Sequence, residues 1–206
     1  MQIKNVTATH KKDFRILLEN LSFVLEAGDK MAVIGEEGNG KTTLLKLIYQ
    51  PEKTEEYIEY EGEIITGNAR IGYLAQELTE EQKEETVWEF CYKNPEFYEQ
   101  SPRELAEIAR KLGMDTELFY AQEKMGQLSG GEKVKIQLAG IMMKNPEVIL
   151  LDEPTRNFSP LSNPVIRRNL KEFQGCIISV SHDRKYLEEV CTVIYELTEK
   201  GLVKRR

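Results

Sequence analysis

A glycine-rich turn between an apolar strand and a helix constrains the fold of this chain more than any other feature. Met31–Gly35 reads MAVIG, Gly35–Thr43 reads GEEGNGKTT, and Lys41–Tyr49 reads KTTLLKLIY, with helical spacing of its apolar side chains. The turn satisfies G-x-x-x-x-G-K-[ST], the pattern of a loop whose backbone amides surround phosphate groups. A helix that begins at this loop also directs the positive end of its dipole at the phosphate. The sequence therefore predicts a phosphate site at the end of a strand.

The residues of this loop divide by their chemistry. Its glycines let the backbone approach phosphate closely. Lys41 is predicted to bridge the β- and γ-phosphates, the Thr42 hydroxyl to bind Mg²⁺, and Thr43 to add a hydrogen bond to phosphate. The nucleotide contacts predicted for the loop are Gly35, Glu36, Glu37, Gly38, Asn39, Gly40, Lys41, Thr42 and Thr43.

Two adjacent carboxylates, Asp152 and Glu153, end the apolar run Val148–Leu151. An acid at the end of a buried strand beside a phosphate loop can hold Mg²⁺ through its water shell, and we predict this role for Asp152. Neighbouring side chains leave a strand end in different directions, so Glu153 is predicted to orient and deprotonate the water that attacks the γ-phosphate. Without the phosphate loop, the pair would read as a solvated acidic turn. The predicted ligands are therefore ATP and Mg²⁺.

Apolar strands alternate with helical patterns along much of the chain. Continuous apolar strands of this kind predict a parallel sheet covered on both faces, with ligands at the carboxyl ends of its strands. The stretch of about 77–124 differs, because it is rich in Glu, Gln and Lys and carries helical patterns such as Pro102–Gly113. We predict one domain over 1–206, with core segments 1–76 and 125–206 and an inserted helical subdomain at about 77–124.

Bulk composition narrows the functional classes. The net charge of −7 and an isoelectric point near 5.2 argue against a protein that coats nucleic acid through bulk positive charge. No apolar run reaches membrane-spanning length, and the N-terminus lacks the apolar core of a signal peptide. We therefore expect no direct membrane insertion and a cytoplasmic location. The three cysteines, Cys91, Cys176 and Cys191, lack the spacing of a metal site and are predicted to be reduced.

The apolar side chains of Glu132–Asn145 have helical spacing and predict an amphipathic helix. The segment Leu128–Gly140, which reads LSGGEKVKIQLAG, overlaps the start of this helix and completes a set of motifs. Together with the phosphate loop, Gln76, LLDEPT and His182, it resembles the ATP-binding cassette (ABC) ATPases over essentially the whole chain. The resemblance implies ATPase activity. With the strand pattern, it implies an α/β fold of the P-loop NTPase type, with a mainly parallel central sheet, an N-terminal antiparallel β portion and the inserted helical subdomain.

A second anion site is predicted at Ser129, Gly130 and Gly131, which precede a long helix and offer a hydroxyl, backbone amides and another helix dipole. Because the chain already has a phosphate loop, this site makes sense if it covers the γ-phosphate bound by another cassette. The resemblance implies that two cassettes pack head to tail with two ATP molecules between them, and identical chains would form a two-fold interface. A second cassette, as a homodimer or a partner ABC domain, is therefore an expected partner.

Three further roles follow from the resemblance. It implies that Gln76 contacts Mg²⁺ and water, and that His182 contacts the γ-phosphate and steadies the attacking water. It also implies an aromatic side chain that stacks on adenine shortly after the first strand. His10 occupies that place, and Phe14 is the alternative. Taken alone, a glutamine or histidine after a strand would read as structural.

The motif VSHDRKYLEEVC at Val180–Cys191 is similar to the ABC-F branch, whose members are soluble twin-cassette ATPases that act on ribosomes, some of them in antibiotic resistance. A ribosome is therefore one expected partner. The alternative is the motor subunit of a transporter, docked on a separate membrane permease, and a third interpretation is a dimerisation switch that hydrolyses ATP slowly. The chain has one cassette and lacks the long linker of that branch, which leaves three origins open: a single-cassette relative, one half of a heteromer, or the C-terminal cassette of a longer product.

The loop after Glu153 departs from the family pattern. The resemblance implies an aspartate six residues after the glutamate, where it helps to link the two active sites, but this chain has Ser159 there. A serine can form hydrogen bonds but carries no charge. We therefore expect weaker coupling across the dimer, with the ATP site on the same chain complete. The serine also favours a branch other than the standard transporter motors.

Overall fold

The computed structural model describes residues 1–156 and 163–206 and is centred on one six-stranded sheet. In spatial order its strands are β5 (Ile71–Leu74), β6 (Val148–Asp152), β7 (Cys176–Val180), β3 (Lys30–Ile34), β8 (Val193–Thr198) and β9 (Gly201–Lys204). The first five strands run parallel, and β9 pairs antiparallel with β8. Because β6 and β7 are buried along their whole length, their side chains are mostly apolar. The predicted mainly parallel sheet is confirmed.

A second, three-stranded sheet is antiparallel and comes from the N-terminal part of the chain. Its strands, in spatial order, are β2 (Ile16–Val24), β1 (Gln2–His10) and β4 (Ile58–Ile65). The predicted N-terminal antiparallel portion is confirmed. In this sheet His10 pairs with Ile58, so β4 brings its first residues to the end of β1.

Two hydrophobic clusters cover the two faces of the central sheet. Ile149 and Leu151 of β6 belong to one cluster, and Val148 and Leu150 belong to the other. Alternate residues of one strand therefore point to opposite faces. The helices that pack on the sheet are α1 (Lys41–Tyr49), α7 (Gly130–Met143), α8 (Asn163–Glu172) and α9 (Arg184–Glu189), and a short α2 (Pro51–Thr54) follows α1.

The chain between β5 and α7 is helical. Its elements are α3 (Glu80–Glu84), α4 (Val87–Tyr92), α5 (Pro95–Glu99) and α6 (Pro102–Leu112), followed by 3₁₀ turns at Thr116–Tyr120 and Met125–Gln127. The start of α6 is a capping box, in which the Ser101 hydroxyl accepts from the Glu104 amide and the Glu104 carboxylate accepts from the Ser101 amide. Helices form here as predicted, and the assignment of this segment as a separate subdomain stays a prediction.

Helix α7 differs in register from the predicted helix. It begins and ends two residues earlier than Glu132–Asn145, because Ser129 is its N-cap and the chain leaves the helix after Met143. Gly130 and Gly131 therefore form the first turn of the helix rather than preceding it. Among residues 1–156 and 163–206, no helix has the length and apolar character needed to cross a bilayer.

Candidate functional site

A cleft of about 850 Å³ opens at the carboxyl ends of β3, β6 and β7. Most of the predicted site residues lie in its wall: His10, Glu37, Gly38, Gly40, Lys41, Thr42, Thr43, Gln76, Asp152, Glu153 and His182. The fold therefore brings together segments that are far apart in the chain. Gly35, Glu36 and Asn39 belong to the same phosphate loop but are not among the residues that line the cleft.

Lys41 is the first residue of α1, and its side chain is almost fully buried. Its ammonium group donates hydrogen bonds to the carbonyl oxygens of Gly35, at 2.8 Å, and Glu36. Burial lowers the pKa of this lysine, and the nearby carboxylates of Glu153 and Asp152 oppose that shift. The ammonium group is thus held at the loop by weak neutral acceptors, which phosphate oxygens can replace.

Two glycines of the phosphate loop cannot be replaced by a residue with a side chain without strain. At Gly40, φ is 82°, and an added Cβ would lie 2.7 Å from the carbonyl oxygen of Leu17. At Gly35, φ is 143°, and an added Cβ would lie 2.6 Å from the carbonyl oxygen of Leu197. The loop is therefore enclosed between β2 and β8, and this close packing sets the path of its backbone amides.

Oxygen atoms suited to Mg²⁺ meet at the base of the cleft. The Thr42 hydroxyl donates a 2.7 Å hydrogen bond to a carboxylate oxygen of Asp152, 110 residues away in the chain. Burial raises the pKa of the Asp152 carboxyl, while the hydrogen bond from Thr42 and the charges of Lys46 and Lys41 lower it. A hydroxyl and a carboxylate in contact, with Gln76 in the same wall, are hard oxygen donors of the kind that Mg²⁺ prefers. The residues present therefore fit the expected cation.

Glu153 and His182 form the second half of the site. The His182 Nε2 atom lies 3.6 Å from the Glu153 Oε1 atom. Burial raises the pKa of Glu153, and the neighbouring His182 and Arg156 oppose the shift. The backbone of Glu153 is left-handed, with φ of 51°, and its amide donates to the carbonyl of Val180. An unfavourable backbone conformation held in this way is a feature that functional sites often show.

Gln76 lies between this cleft and a smaller neighbouring cavity of about 210 Å³, because it lines both. Gly130, at the start of α7, lines only the smaller cavity, and Ser129 and Gly131 line neither. The Ser129 hydroxyl caps α7, in contact with Glu132. The structure therefore does not bring the predicted second anion site into the cleft of the same chain.

The two candidates for adenine stacking differ in position. His10, at the end of β1, lines the cleft, and its Nδ1 atom lies 3.0 Å from an Asp13 carboxylate oxygen. Phe14 is 77% exposed and is not part of the cleft wall. The geometry therefore favours His10 over the alternative. The predicted effect of Ser159 concerns a position outside the described residues.

Comparison with known proteins decides the family of the chain. The family model described as ABC transporter matches residues 18–156, which is more than half of the sequence. The chain belongs to the ABC transporter family. The prediction of an ATP-binding cassette ATPase is thereby confirmed at the level of the family, and the P-loop NTPase fold is confirmed by a solved structure described below.

The curated relatives of this ABC-family chain include proteins of ABC-F type. It is 31% identical over its whole length to ribosome protection protein VmlR of Bacillus subtilis, covering 35% of that protein. It is 30% identical to ABC transporter F family member 2 of Arabidopsis thaliana, with 93% of this chain and 27% of that protein aligned. It is 27% identical to the energy-dependent translational throttle protein EttA of Haemophilus influenzae, over 98% of this chain and 35% of that protein. The predicted similarity to ABC-F proteins is confirmed, and the chain spans about a third of the length of these relatives.

A solved structure shares the fold of this ABC-family chain. The structure described as a dimeric post-hydrolysis state of the ATP-binding cassette MJ0796, bound to ADP and Pi, aligns with a TM-score of 0.77. The alignment covers 100% of this chain and 98% of that chain at 24% sequence identity. The comparison therefore confirms the cassette fold.

Several residues of the cleft wall are not predicted from the sequence: Arg15, Leu17, Tyr57, Ile58, Arg156 and Val180. Tyr57 and Ile58 reach the cleft because β4 pairs with β1, and the alternation of apolar and charged residues in Ile58–Ile65 was the available signal. Arg156 directly follows the DEPT motif, and no general spacing rule singles it out.

Proposed function

We propose that this chain binds Mg-ATP in the cleft and hydrolyses it as one cassette of a head-to-tail pair. One observation carries the proposal: Lys41, the hydrogen-bonded Thr42 and Asp152, and Glu153 share one cleft at the ends of parallel strands. Membership of the ABC transporter family supports the same activity. The site residues keep their predicted roles, with His10 as the adenine contact.

ATP binding begins with an exchange of hydrogen bonds at the phosphate loop. The Lys41 ammonium group, bonded to the carbonyls of Gly35 and Glu36, turns to oxygens of the β- and γ-phosphates. Amides of the loop and the N-terminus of α1 add partial positive charge. When bound, Mg²⁺ would neutralise phosphate charge next to Thr42 and Asp152, with Gln76 beside it.

Hydrolysis requires a base and an orienting group beside the γ-phosphate. A Glu153 carboxylate oxygen accepts a proton from water as the water oxygen bonds to the γ-phosphorus, and the bond to the bridging oxygen of ADP breaks. His182, 3.6 Å from the carboxylate, holds the water and contacts the γ-phosphate. The Lys41 charge offsets the negative charge that develops on the phosphate oxygens.

A second cassette is proposed to complete each site. Ser129, Gly130 and Gly131 lie outside the cleft of their own chain, although they present a helix N-terminus suited to an anion. In a head-to-tail pair they would cover the γ-phosphate bound by the other cassette. The dimeric state of the solved cassette with the same fold supports this arrangement.

The biological role that we propose is that of an ABC-F-like factor acting on ribosomes, with a link to antibiotic resistance. The names of two relatives, a ribosome protection protein and a translational throttle protein, support this proposal. Since the chain spans about a third of these relatives, the second cassette can belong to the same longer protein or to another chain. The alternative, a transporter motor docked on a membrane permease, is supported by the family description alone.

Substitution of the proposed base tests the activity. We expect Glu153→Gln to slow ATP turnover by roughly 10²–10⁴-fold, the usual contribution of a general base, with little change in ATP affinity. The measurement is steady-state phosphate release together with nucleotide binding. Glu59→Gln, which removes an exposed carboxylate of β4 outside the cleft, is the matched control. Turnover near the wild-type rate in the Glu153 variant would overturn the assignment of the base.

A further inference from the structure

The negative charge of this protein is concentrated in one segment. Residues 77–124 contain thirteen acidic and six basic side chains, a net charge of −7. The other 22 acidic and 22 basic side chains of the chain cancel, so this segment accounts for the net charge of the whole protein. The nucleotide cleft, by contrast, is lined entirely by residues outside this segment, and Gln76 is the residue of its wall closest to the segment in sequence.

The same segment carries a connected group of aromatic rings, here called the aromatic face, formed by Trp88, Tyr92, Phe97, Tyr98 and Tyr120. Trp88 stacks on Tyr120 with ring centroids 5.7 Å apart and lies 5.0 Å from Tyr92, which meets Tyr98 edge to face at 4.6 Å. Phe97 is buried beneath them, against Phe119. The buried Phe97 ring therefore supports the outer rings of the aromatic face, because it contacts Trp88, Tyr98 and Tyr120.

The outer rings of the aromatic face remain open to solvent. Tyr92, Tyr98 and Tyr120 are 50%, 53% and 48% exposed, respectively. Tyrosine and tryptophan lose little side-chain entropy on binding and are enriched at the centres of protein interfaces. Exposed rings in mutual contact therefore indicate an interaction surface more strongly than scattered exposed side chains do.

The segments that carry the aromatic face are acidic. The elements that carry it, residues 86–100 and 115–123, contain six acidic side chains and one basic side chain. The base is Lys93, and its Nζ atom lies 2.7 Å from a carboxylate oxygen of Glu85. The Lys93 ammonium group is therefore paired with a carboxylate outside these two stretches, and six acidic against one basic side chain leave the stretches themselves with a net charge of −5.

We propose that the aromatic face binds a Lys/Arg-rich segment of a protein partner. Lysine and arginine heads are attracted to the faces of tyrosine and tryptophan rings, and their aliphatic stems pack on the same surface. The carboxylates of the two stretches that carry the rings favour cationic partners and speed their association. The same carboxylates repel the phosphates of RNA and DNA, and the two stretches contain only one basic side chain to bind them.

The fluorescence of a tryptophan in the aromatic face can report peptide binding. Trp88 is the one tryptophan in the sequence and belongs to the aromatic face. In titrations without nucleotide, a short Lys/Arg-rich helical peptide should change the Trp88 emission saturably, and added salt should weaken the binding by screening. The same peptide with glutamates in place of its lysines and arginines, and a short single-stranded RNA, should cause no saturable change.

Substitutions locate the binding on the aromatic face. Tyr98→Ala and Glu99→Gln should each weaken peptide affinity, the tyrosine variant by roughly tenfold, as for a residue at the centre of an interface. Phe14→Ala removes an exposed ring elsewhere on the molecule, Glu59→Gln removes an exposed carboxylate, and both should bind as wild type. Tyr98 is half exposed, and thermal melting checks that each variant is folded.

Three results would overturn the proposal. They are the absence of a saturable response to the cationic peptide, equal loss of affinity in Tyr98→Ala and Phe14→Ala, and RNA binding that Tyr98→Ala abolishes. The last result would make the face a nucleic-acid surface. Because the titrations contain no ATP, their outcome does not depend on the proposed hydrolysis.

Discussion

At the scale of single residues, the chemistry of the cleft depends on how Glu153 is held. Its left-handed backbone, at φ of 51°, is unfavourable for a residue with a side chain, and the hydrogen bond from its amide to Val180 helps to keep it there. The backbone therefore fixes the carboxylate in the cleft wall next to His182. The same burial that raises its pKa makes it a stronger base than an exposed glutamate.

The pH dependence of turnover follows from this environment. The proposed base must be ionised to act, so we expect kcat/KM to fall as pH falls through the pKa of Glu153. Burial raises that pKa and so moves the loss to higher pH than for an exposed glutamate. Arg156 opposes the shift, so Arg156→Gln should raise the pKa of Glu153 further and move the acid limb of the kcat/KM profile, which reports the free enzyme, to higher pH. Arg70→Gln, at the opposite end of the sheet beside Glu147, is the control and should leave the limb in place. An unchanged limb in the Arg156 variant would contradict the prediction.

Motif residues could be predicted from the sequence, and their neighbours could not. Lys41, Thr42, Asp152 and Glu153 are identified by patterns within a few residues of one another, because their chemistry depends on local loop geometry. Tyr57 enters the cleft only through the pairing of β4 with β1, which is a tertiary contact. No short pattern encodes such a contact.

At the scale of elements, two helices begin with the same capping motif, but we propose a dimer contact for the N-terminus of only one of them, α7. Ser129 and Glu132 form a capping box on α7, and Ser101 and Glu104 form an equivalent box on α6. Loss of either cap by Ser→Ala should reduce stability by about 1 kcal/mol. The pair therefore separates the structural role of a cap from a role at the proposed dimer interface.

This pair tests the proposed role of Ser129. In the Glu153→Gln background, ATP should produce a dimer that persists because hydrolysis is slow, and Ser129→Ala should weaken that dimer, since a γ-phosphate contact is lost. Ser101→Ala should dimerise as the parent does, while its melting temperature falls by a similar amount. Sedimentation velocity with and without ATP measures the difference. Equal dimerisation of the two serine variants would contradict a contact across the interface.

Elements with strong periodicity were predicted well. Strands β6 and β7 can be predicted because burial requires continuous apolar runs. Helix α6 can be predicted because capping residues precede its periodic apolar pattern. Strand β4 is not predicted, because its three glutamates and a glycine weaken the signal from its alternation of apolar and charged residues. It is stabilised by pairing with β1 rather than by its own composition, as is common for strands of exposed sheets.

At the scale of the whole molecule, charge is divided between a neutral core and an acidic helical segment. Outside residues 77–124 the acidic and basic side chains balance, so this part has no bulk repulsion from nucleic acid. A ribosome presents both RNA and basic protein surface. On the ribosome that we propose as a partner, the charge division favours contact of the aromatic face with basic protein and of the neutral core with RNA.

Ribosome binding is the prediction that separates the two proposed roles. We expect the Glu153→Gln form to pellet with ribosomes when ATP is present, because trapping the ATP-bound state prevents release, and to remain in the supernatant without nucleotide. The variant that also carries Lys41→Ala should not pellet, since it lacks the cleft lysine that we propose as the phosphate contact. Quantitative co-sedimentation at physiological salt measures both. If ATP leaves the Glu153 variant in the supernatant while nucleotide binding is intact, the ribosomal role is wrong, and the transporter motor becomes the better interpretation of the same ATP site.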